Sequence, residues 1–368
     1  MPVRWIKAGL LAAAVTLGVL LALACRPMEA GSPAEAGSLG LGDQFDRMAA
    51  NAVSDALEGV LSLDKVYWLD EANPVAPRPD PGCAGKTEDP GELAPVLEKA
   101  REALGLEEPL FRTDTEILKG SCVRYYLDET IFSVSWKQVV GDAVYSFSEV
   151  KVAHPSQFRR FLSDGRYGSG TQYPATQMAE SVNAVTACSG DFYAYRLFGV
   201  TVYNGRVCRA EGRELDICMV DSRGDLIFSR KGEISGQEEA EQFVKEHDIR
   251  FSLAFGPAML ENGELCLPGA YALGQPEDPY SRAALCQQGP LHYVLVTANR
   301  ETGGLITPTI PQFAQALQKL GIRKAYALDG GQTATMVANG EIVNPVDYGN
   351  QRKISDIVYF ATAVPDGT

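Results

Sequence analysis

The stretch "YALDGGQTATMVANGEIVN", residues 326–344, places an acid, two glycines and a run of hydroxyl side chains between two apolar segments. The preceding "KAYAL" predicts a buried strand, because a short apolar run bounded by turn residues is typical of a strand inside a sheet. Gly330 and Gly331 permit close backbone approach, and Thr333 supplies a hydroxyl. The stretch therefore predicts that Asp329 is presented at the end of a core strand.

Further strands and helices follow from patterns elsewhere in the chain. Phe132, Val134 and Trp136 alternate with polar residues, and "VYSFSEVKV" follows as a partner strand. Asn204-Gly205 is typical of a tight hairpin turn. Capping signals predict helices after Asp89 and after residues 235–238, and apolar spacing predicts another at 313–320. These patterns predict an α+β fold with mixed, antiparallel-rich sheets and flanking helices.

The first part of the 368-residue chain is organised differently. Residues 1–25 place Arg4 and Lys7 before an apolar run, which is typical of a signal peptide or a membrane anchor. We expect residues 26–43 to form a flexible linker, residues 44–119 a small helical N-terminal region, and residues 120–365 the main domain. We therefore expect an exported protein, either secreted or anchored in the membrane and facing outside.

Charge and cysteine content narrow the classes of partner and site. The net charge of −14 argues against a nucleic-acid partner, because phosphate-backbone binding needs clustered Lys and Arg. The cysteines show no CxxC spacing, so their pattern does not indicate a zinc site. Export permits disulfides, and Cys208–Cys218, across an expected strand pair, and Cys266–Cys286 are the first pairs to test. The alternative is that every cysteine is a small buried apolar residue.

Only three histidines occur, so histidine-based catalysis has little support. His292 lies in an apolar strand and His154 precedes a proline, and both positions favour a structural role over a catalytic one. Carboxylates and arginines must then supply the chemistry. Asp191, in "SGDFY", follows a glycine at a strand end, and Arg282, in "DPYSRAALCQ", is placed to grip a phosphate or carboxylate.

Six stretches in order along residues 130–365 resemble the motifs of the phosphodiester glycosidase family. They are "SGDFY", "YNGRVCR", "FGPAMLENG", "YSRAALC", "LDGGQTATM" and "QRKISDIVYF". Members of that family typically read NGDFY, an NG hairpin, FGPALVxNG, NPRTAIG, LDGGGSSTM and RxVSDIVY. An ordered series of motifs is far more specific than any one of them.

The resemblance implies an exported hydrolase that removes an N-acetylglucosamine-like sugar from a glycosyl phosphodiester of an envelope or extracellular glycan. The leaving group is a phosphate monoester, which needs little acid assistance. We predict that Arg282 binds the phosphate, while Asp329 or Asp191 orients water or stabilises an oxocarbenium-like transition state. The predicted substrate-binding residues are Asn183, Ser189, Gly190, Gly330, Gly331, Thr333, Arg352 and Asp356. The sequence requires no cofactor, and the predicted partners are the glycan and, through the N-terminal segment, the membrane.

The chain departs from the family motifs at four positions that should line the site. Ser189 and Ala327 stand where Asn is usual, Gln332 replaces Gly, and Ala334 replaces Ser. These changes motivate a first alternative, a carbohydrate-binding protein of the same fold without turnover. A second alternative is a metal-assisted phosphodiesterase in which Asp191, Asp329 and Asp356 share a divalent cation.

Overall fold

A computed structural model describes residues 68–366, except 115–116, 118–119, 213, 272 and 301–305. The predicted signal or anchor, the linker and residues 44–67 of the predicted helical N-terminal region lie outside the described residues. Among the described residues, no helix has the length and apolar character that a membrane span requires.

The described residues form a sheet-rich fold. Its strands, in chain order, are β1 (Ala84–Thr87), β2 (Val123–Leu127), β3 (Ile131–Val140), β4 (Ala143–Val152), β5 (Phe158–Leu162), β6 (Thr186–Ser189), β7 (Gly199–Tyr203), β8 (Arg206–Glu211), β9 (Ile217–Asp221), β10 (Leu226–Ser229), β11 (Ile249–Leu253), β12 (Ala258–Glu261), β13 (Glu264–Leu265), β14 (Arg282–Gly289), β15 (His292–Asn299), β16 (Lys324–Leu328), β17 (Met336–Ala338), β18 (Glu341–Ile342) and β19 (Asp356–Phe360). Its α-helices are α1 (Ala94–Leu104), α2 (Ala175–Ser181), α3 (Gln237–His247) and α4 (Ile310–Lys319).

Four sheets organise these strands. A nine-stranded sheet has the order β1-β2-β3-β4-β15-β14-β16-β12-β13, and a five-stranded sheet has the order β18-β17-β6-β19-β5. Strands β10, β9 and β11 form a third sheet, and the β7–β8 hairpin forms a fourth. Neighbouring strands pair antiparallel throughout, as in the long β3–β4 and β14–β15 ladders. This arrangement agrees with the predicted α+β class and its antiparallel-rich sheets.

The nine-stranded sheet is buried on both faces because its strands carry apolar residues on both. On one face, Trp136 and Phe147 share an apolar cluster with Leu97 of α1 and Phe313 of α4. On the other, Val150 and Leu285 pack with residues of the five-stranded and three-stranded sheets. Helix α2 covers the far face of the five-stranded sheet. The core is therefore continuous across the layers, which holds the strand ends at the site in place.

The region before residue 120 contributes to the same sheet. Strand β1 pairs with β2 as an edge strand, and α1 packs on β3. Helix α1 follows a 3-10 helix, Pro90–Leu93, which Asp89 caps by accepting the Gly91 N–H, as the capping signal predicts. The boundary between residues 119 and 120 stays a prediction.

Several local predictions agree with the structure, and one differs in detail. The Asn204-Gly205 hairpin forms between β7 and β8, and "KAYAL" is β16. The capping signal at residues 235–238 is shifted, because Ser235 bonds Glu239 and Gly236 occupies the N-cap of α3.

The predicted disulfides are absent from the structure. Cys208, Cys218, Cys266 and Cys286 are all free. The expected strand pair behind Cys208–Cys218 does not form, because β8 pairs with β7 while β9 pairs with β10 and β11. Cys218 and Cys286 are instead fully buried, as in the alternative of small apolar cysteines.

Candidate active site

Three strands bring an arginine and two carboxylates together. Asp191 follows β6, Asp356 begins β19, and Arg160 lies within β5. Strand β19 runs between β6 and β5, with Ile357 opposite Ser189 and Val358 opposite Arg160. Because residues two apart share one face of a strand, this register places Asp356 diagonally next to Arg160.

The resulting arginine–carboxylate cluster, Arg160 with Asp191 and Asp356, is fully buried. Arg160 Nη2 lies 2.7 Å from Asp191 Oδ1 and 2.7 Å from Asp356 Oδ2, and Arg160 Nε donates to Asp356 Oδ2 at 2.9 Å. Arg160 Nη1 donates to the Ser252 carbonyl. One guanidinium therefore bridges both carboxylates and is held in turn by backbone.

Backbone donors complete the cluster. Asp191 Oδ1 accepts the Tyr193 N–H at 2.9 Å, Asp191 Oδ2 accepts the Ala254 N–H at 2.7 Å, and Asp356 accepts the Asp191 N–H at 3.3 Å. Burial raises the pKa of Asp356, the charge of Arg160 opposes that rise, and the neighbouring Asp191 adds to it. Because each carboxylate has several donors, the cluster is a rigid support for the strand ends.

Gly190 permits this approach. A Cβ atom at Gly190 would lie 2.0 Å from Asp356 Oδ2, so any larger residue would collide with the cluster. The Gly190 N–H donates to the Asp356 carbonyl at 3.0 Å, and its carbonyl accepts the Asp329 N–H at 3.1 Å. Gly190 therefore links the ends of β6, β19 and β16, and the close approach of Asp356 leaves no room for a side chain at this position.

Asp329 lies at the end of β16, as predicted. The turn that follows packs on Ser281, whose carbonyl accepts the Gly331 N–H at 2.7 Å and would lie 2.3 Å from a Cβ at Gly330. Asp329 keeps some solvent exposure but is closely surrounded by protein. This burial raises the pKa of Asp329 to about 7, while hydrogen bonding with Thr333 and the positive charges of Arg196 and Arg352 act in the opposite direction.

Asp329 and Asp356 line one small cavity of about 10 Å³. The predicted residues that line it are Ser189, Gly190, Asp329, Thr333 and Asp356. Asp191 does not line the cavity but shares Arg160 with Asp356, which does. Such a volume holds about one water molecule. The structure thus brings five of the eleven predicted site residues to the lining of one closed cavity.

An aromatic pair borders the same cavity. The Phe192 and Tyr195 rings stack with their centroids 4.2 Å apart, and the guanidinium of the predicted residue Arg352 lies 5.7 Å and 5.5 Å from the two ring centroids. Phe192 has φ +67°, a conformation that non-glycine residues rarely adopt. The rings and Arg352 form an exposed margin next to the two carboxylates.

The side chains of Arg282 and Asn183 do not line the cavity. The Arg282 guanidinium donates to the backbone carbonyls of Gly274, Gln275, Asp278 and Pro308, and none of these residues lines the cavity. Asn183 Nδ2 donates to the Ala76 carbonyl at 2.7 Å and so fastens the segment before β1. The structure therefore does not bring the guanidinium of Arg282, the residue predicted to bind the phosphate, to the cavity that Asp329 lines, because it is directed at a loop. Only its backbone lies near Gly330.

Sequence reasoning missed Arg160 and the aromatic pair. The signal for Arg160 was two consecutive arginines inside the apolar strand "FRRFL", because a charged residue within a buried strand usually has a partner. One of its partners, Asp356, lies 196 residues away from Arg160 in the chain, so no local pattern identifies the pair. Phe192 and Tyr195 stood in a quoted motif, yet their stacking depends on the turn after Asp191.

The geometry disfavours the shared divalent cation. Within the part of the chain that the structure describes, no three or more His, Cys, Asp or Glu side chains are arranged to hold a metal ion. The Arg160 guanidinium occupies the space between Asp191 and Asp356 that a shared cation would need. The residues present therefore do not fit the metal-assisted alternative.

The substituted motif positions are structurally accommodated. Ala327 and Ala334 are fully buried, and the Ala334 carbonyl accepts Asn344 Nδ2 at 2.8 Å. Gln332 Nε2 donates to Asn350 Oδ1 at 2.8 Å. Ser189 Oγ accepts the Thr335 N–H at 3.4 Å. Asp329 and Thr333 keep their places beside the cavity despite these changes.

Comparisons with known proteins agree with the resemblance seen in the motifs. A family model described as phosphodiester glycosidase matches residues 182–361, which confirms the resemblance to that family. A solved structure of the zebrafish N-acetylglucosamine-1-phosphodiester alpha-N-acetylglucosaminidase catalytic domain is 18% identical and has a TM-score of 0.49, with 63% of this chain and 82% of that chain covered. A hypothetical protein from Synechocystis is 13% identical with a TM-score of 0.48, covering 67% of this chain and 64% of that chain. No curated protein sequence matches the chain.

Proposed function

We propose that this chain, which carries a phosphodiester glycosidase family domain, is an exported hydrolase that removes an N-acetylglucosamine-like sugar from a glycosyl phosphodiester of an envelope or extracellular glycan. The observation that carries the proposal is that Asp329 and Asp356, from the ends of different strands, line one cavity. Carboxylates on a rigid support are what glycoside hydrolysis requires.

The two acidic groups have different chemical roles. Asp356 and Asp191 share Arg160 and so are held as a supporting pair. Asp329 has no such partner among the residues that the structure describes, and its pKa of about 7 lets it exchange a proton near neutral pH. We assign Asp329 the role of acid–base residue that activates water or stabilises the developing positive charge on the sugar.

The nature of the leaving group reduces the demand on the acid. A phosphate monoester departs as an anion with a second pKa near 6, so it needs much less protonation than an alcohol. One carboxylic acid beside a positively charged group is therefore sufficient for the chemistry. We propose that Thr333, which lines the cavity with Asp329 and donates its hydroxyl to the Gly330 carbonyl, contacts a sugar hydroxyl or phosphate oxygen together with the backbone at Gly330.

The substrate needs more room than the closed cavity offers. A cavity of about 10 Å³ does not admit a sugar ring, and the Phe192–Tyr195 pair with Arg352 forms its exposed margin. We infer that these rings move aside and then provide an apolar face for the sugar.

Hydrolysis of a model N-acetylglucosamine phosphodiester by the purified protein tests the proposal. Asp329→Asn should reduce kcat/KM at least about 100-fold while leaving folding intact. Asp142→Asn, in the exposed turn between β3 and β4, is the matched control and should retain full activity. Full activity of the Asp329→Asn protein would contradict the assignment.

The closed cavity also favours a second candidate, a carbohydrate-binding protein of the same family without turnover. In that case the protein would bind glycosyl phosphodiesters, and no member of a panel would be hydrolysed. Binding measured by calorimetry alongside product detection separates the two functions.

A further inference from the structure

A buried arginine next to the cavity has donors without acceptors. Arg196 follows the 3-10 helix Tyr193–Tyr195, and only 4% of its side chain is exposed. Its Nη2 donates to the Asp191 carbonyl, but Asp191 Oδ1 is 4.0 Å from Nη2, too far for a hydrogen bond. Among the described residues, Arg196 Nε and Nη1 have no hydrogen-bond partner.

Two aromatic rings lie beside the Arg196 guanidinium. Its guanidinium lies 5.6 Å from the Phe255 ring centroid and 6.0 Å from that of Phe192. Ring faces attract a cation but do not replace acceptors in the guanidinium plane. Buried polar groups are nearly always satisfied, so two orphan nitrogens on one arginine call for an explanation such as an absent ligand.

A second arginine adds to the positive charge. Arg209 donates to the carbonyls of Tyr193, Arg196 and Gly199, which ties β8 to the loop that carries Arg196. Its Nη2 is also buried without an acceptor. Burial lowers the pKa of Arg209, and the nearby charge of Arg196 acts in the same direction. Two like charges are thus held close together with donors unused, an arrangement that an anion would stabilise.

Among the described residues, the carboxylate within ion-pair distance of Arg196 is that of Asp191, at 4.0 Å, and Arg196 has to share it with Arg160. Asp191 and Asp356 already share Arg160. The Arg196 guanidinium lies 6.0 Å from the ring centroid of Phe192, which lines the same cavity as Asp329, so the orphan donors are one aromatic ring away from that cavity. An arginine in this position is suited to a phosphate oxygen, because its planar fork can donate two parallel hydrogen bonds.

We propose that Arg196, supported by Arg209, binds the phosphoryl group of the substrate beside Asp329. This inference rests on the proposed function for the identity of the substrate, but anion binding itself does not. In this role Arg196 replaces Arg282, whose guanidinium donates to backbone carbonyls. The loop that carries Arg196 has an exposed tip, since Leu197 is 91% exposed, so an anion can reach Arg196 by displacing a loop with little buried surface at its tip.

Calorimetric titration with inorganic phosphate and with N-acetylglucosamine 1-phosphate tests the assignment without turnover. Arg196→Met should weaken binding of both probes at least tenfold, and Arg196→Lys, which keeps the charge but loses the fork, should weaken it less. Arg323→Met, at an exposed arginine after α4, should bind like the unmodified protein. Circular dichroism and thermal melting establish that each variant is folded.

Steady-state kinetics provide a second readout. Arg196→Met should lower kcat/KM for a phosphodiester substrate at least tenfold more than for an aryl N-acetylglucosaminide, which lacks the phosphate. A general structural defect would lower both equally.

The outcomes separate this inference from the proposed function. Unchanged phosphate affinity in folded Arg196→Met, or no phosphate binding by the unmodified protein at millimolar concentration, would overturn the role of Arg196. If Arg196→Met does not fold, equal affinities of Arg196→Lys and the unmodified protein would overturn it. Phosphate binding that depends on Arg196, without any hydrolysis, would support the anion site and count against the hydrolase.

Discussion

The arginine–carboxylate cluster and the Asp329 turn meet at one cavity but differ in how their charges are satisfied. In the cluster, Arg160 and backbone N–H groups hold Asp191 and Asp356 from several directions. Asp329 lacks an ion-pair partner of that kind, and its pKa is raised to about 7. This difference indicates that the cluster stabilises the site. The surroundings of Asp329 do not stabilise its charged form, so Asp329 can exchange a proton.

The largest expected effect follows from removing Arg160. Arg160→Met leaves two carboxylates buried without their cation, which typically costs about 3–5 kcal/mol of unfolding free energy. Denaturant unfolding measures the loss, and Arg166→Met, at an exposed position just beyond β5, is the control. A loss below about 1 kcal/mol would mean that the cluster does not stabilise the fold.

A steric probe of the same cluster should have a somewhat smaller effect. Gly190→Ala introduces a Cβ at 2.0 Å from Asp356 Oδ2, and overpacking of this kind typically costs about 1–3 kcal/mol. Gly289→Ala is the matched control, because a Cβ there meets no atom within 4 Å. Equal stability of the two alanine variants in thermal melts would contradict the tight approach at Gly190.

The Asp329 side of the comparison predicts a smaller, pH-dependent effect. The pKa of Asp329 is raised to about 7 in the folded state, above the usual value of about 3.9 for an unfolded chain. The folded state therefore holds the proton more tightly, so its contribution to stability is complete below about pH 4 and is lost as the pH rises through about 7.

Melting temperatures of the unmodified protein and of Asp329→Asn, measured from pH 4 to pH 8, test this. The unmodified protein should lose stability relative to Asp329→Asn as the pH rises, whereas Asp142→Asn should follow the unmodified protein. Parallel profiles for all three proteins would show that the Asp329 pKa is not raised.

The smallest expected effect concerns the cysteines. Because the seven cysteines at and after Cys83 are free, a reductant should change the unfolding free energy by less than about 0.5 kcal/mol, far below the 2–4 kcal/mol typical of a disulfide. Labelling the thiols of the denatured protein, with and without prior reduction, gives the number of free cysteines. Fewer reactive thiols before reduction would contradict the free state.

Predictions based on local patterns were the most successful. The apolar run before Asp329, the Asn204-Gly205 turn and the Asp89 cap each depend on a few consecutive residues, and each is found in the structure. Register and pairing are not local. The expected pairing behind Cys208–Cys218 failed because hydrogen bonding between strands depends on which edges the fold leaves open.

The candidate site shows the same division. Asp191 and Asp329 were recognisable because each follows a strand and adjoins glycine, and Asp356 and Arg352 lie in a family motif. Arg282 sits in a motif as well, yet the orientation of its long side chain was decided by the carbonyls around it. Arg160 and Arg196 lie in none of the family motifs. Arg160 is distinguished by its buried carboxylate partner, and Arg196 by buried nitrogens that have no hydrogen-bond partner among the described residues.

By itself, the sequence indicated the antiparallel-rich α+β architecture and the placement of acids at strand ends, since periodicity and turn chemistry act over neighbouring residues, and its motifs carried the resemblance to the phosphodiester glycosidase family. The tertiary structure alone decided which charges meet. Arg160 joins Asp356 across 196 positions of chain, and Arg196 keeps donors without acceptors, because burial and pairing depend on the packing of strands that are remote in sequence.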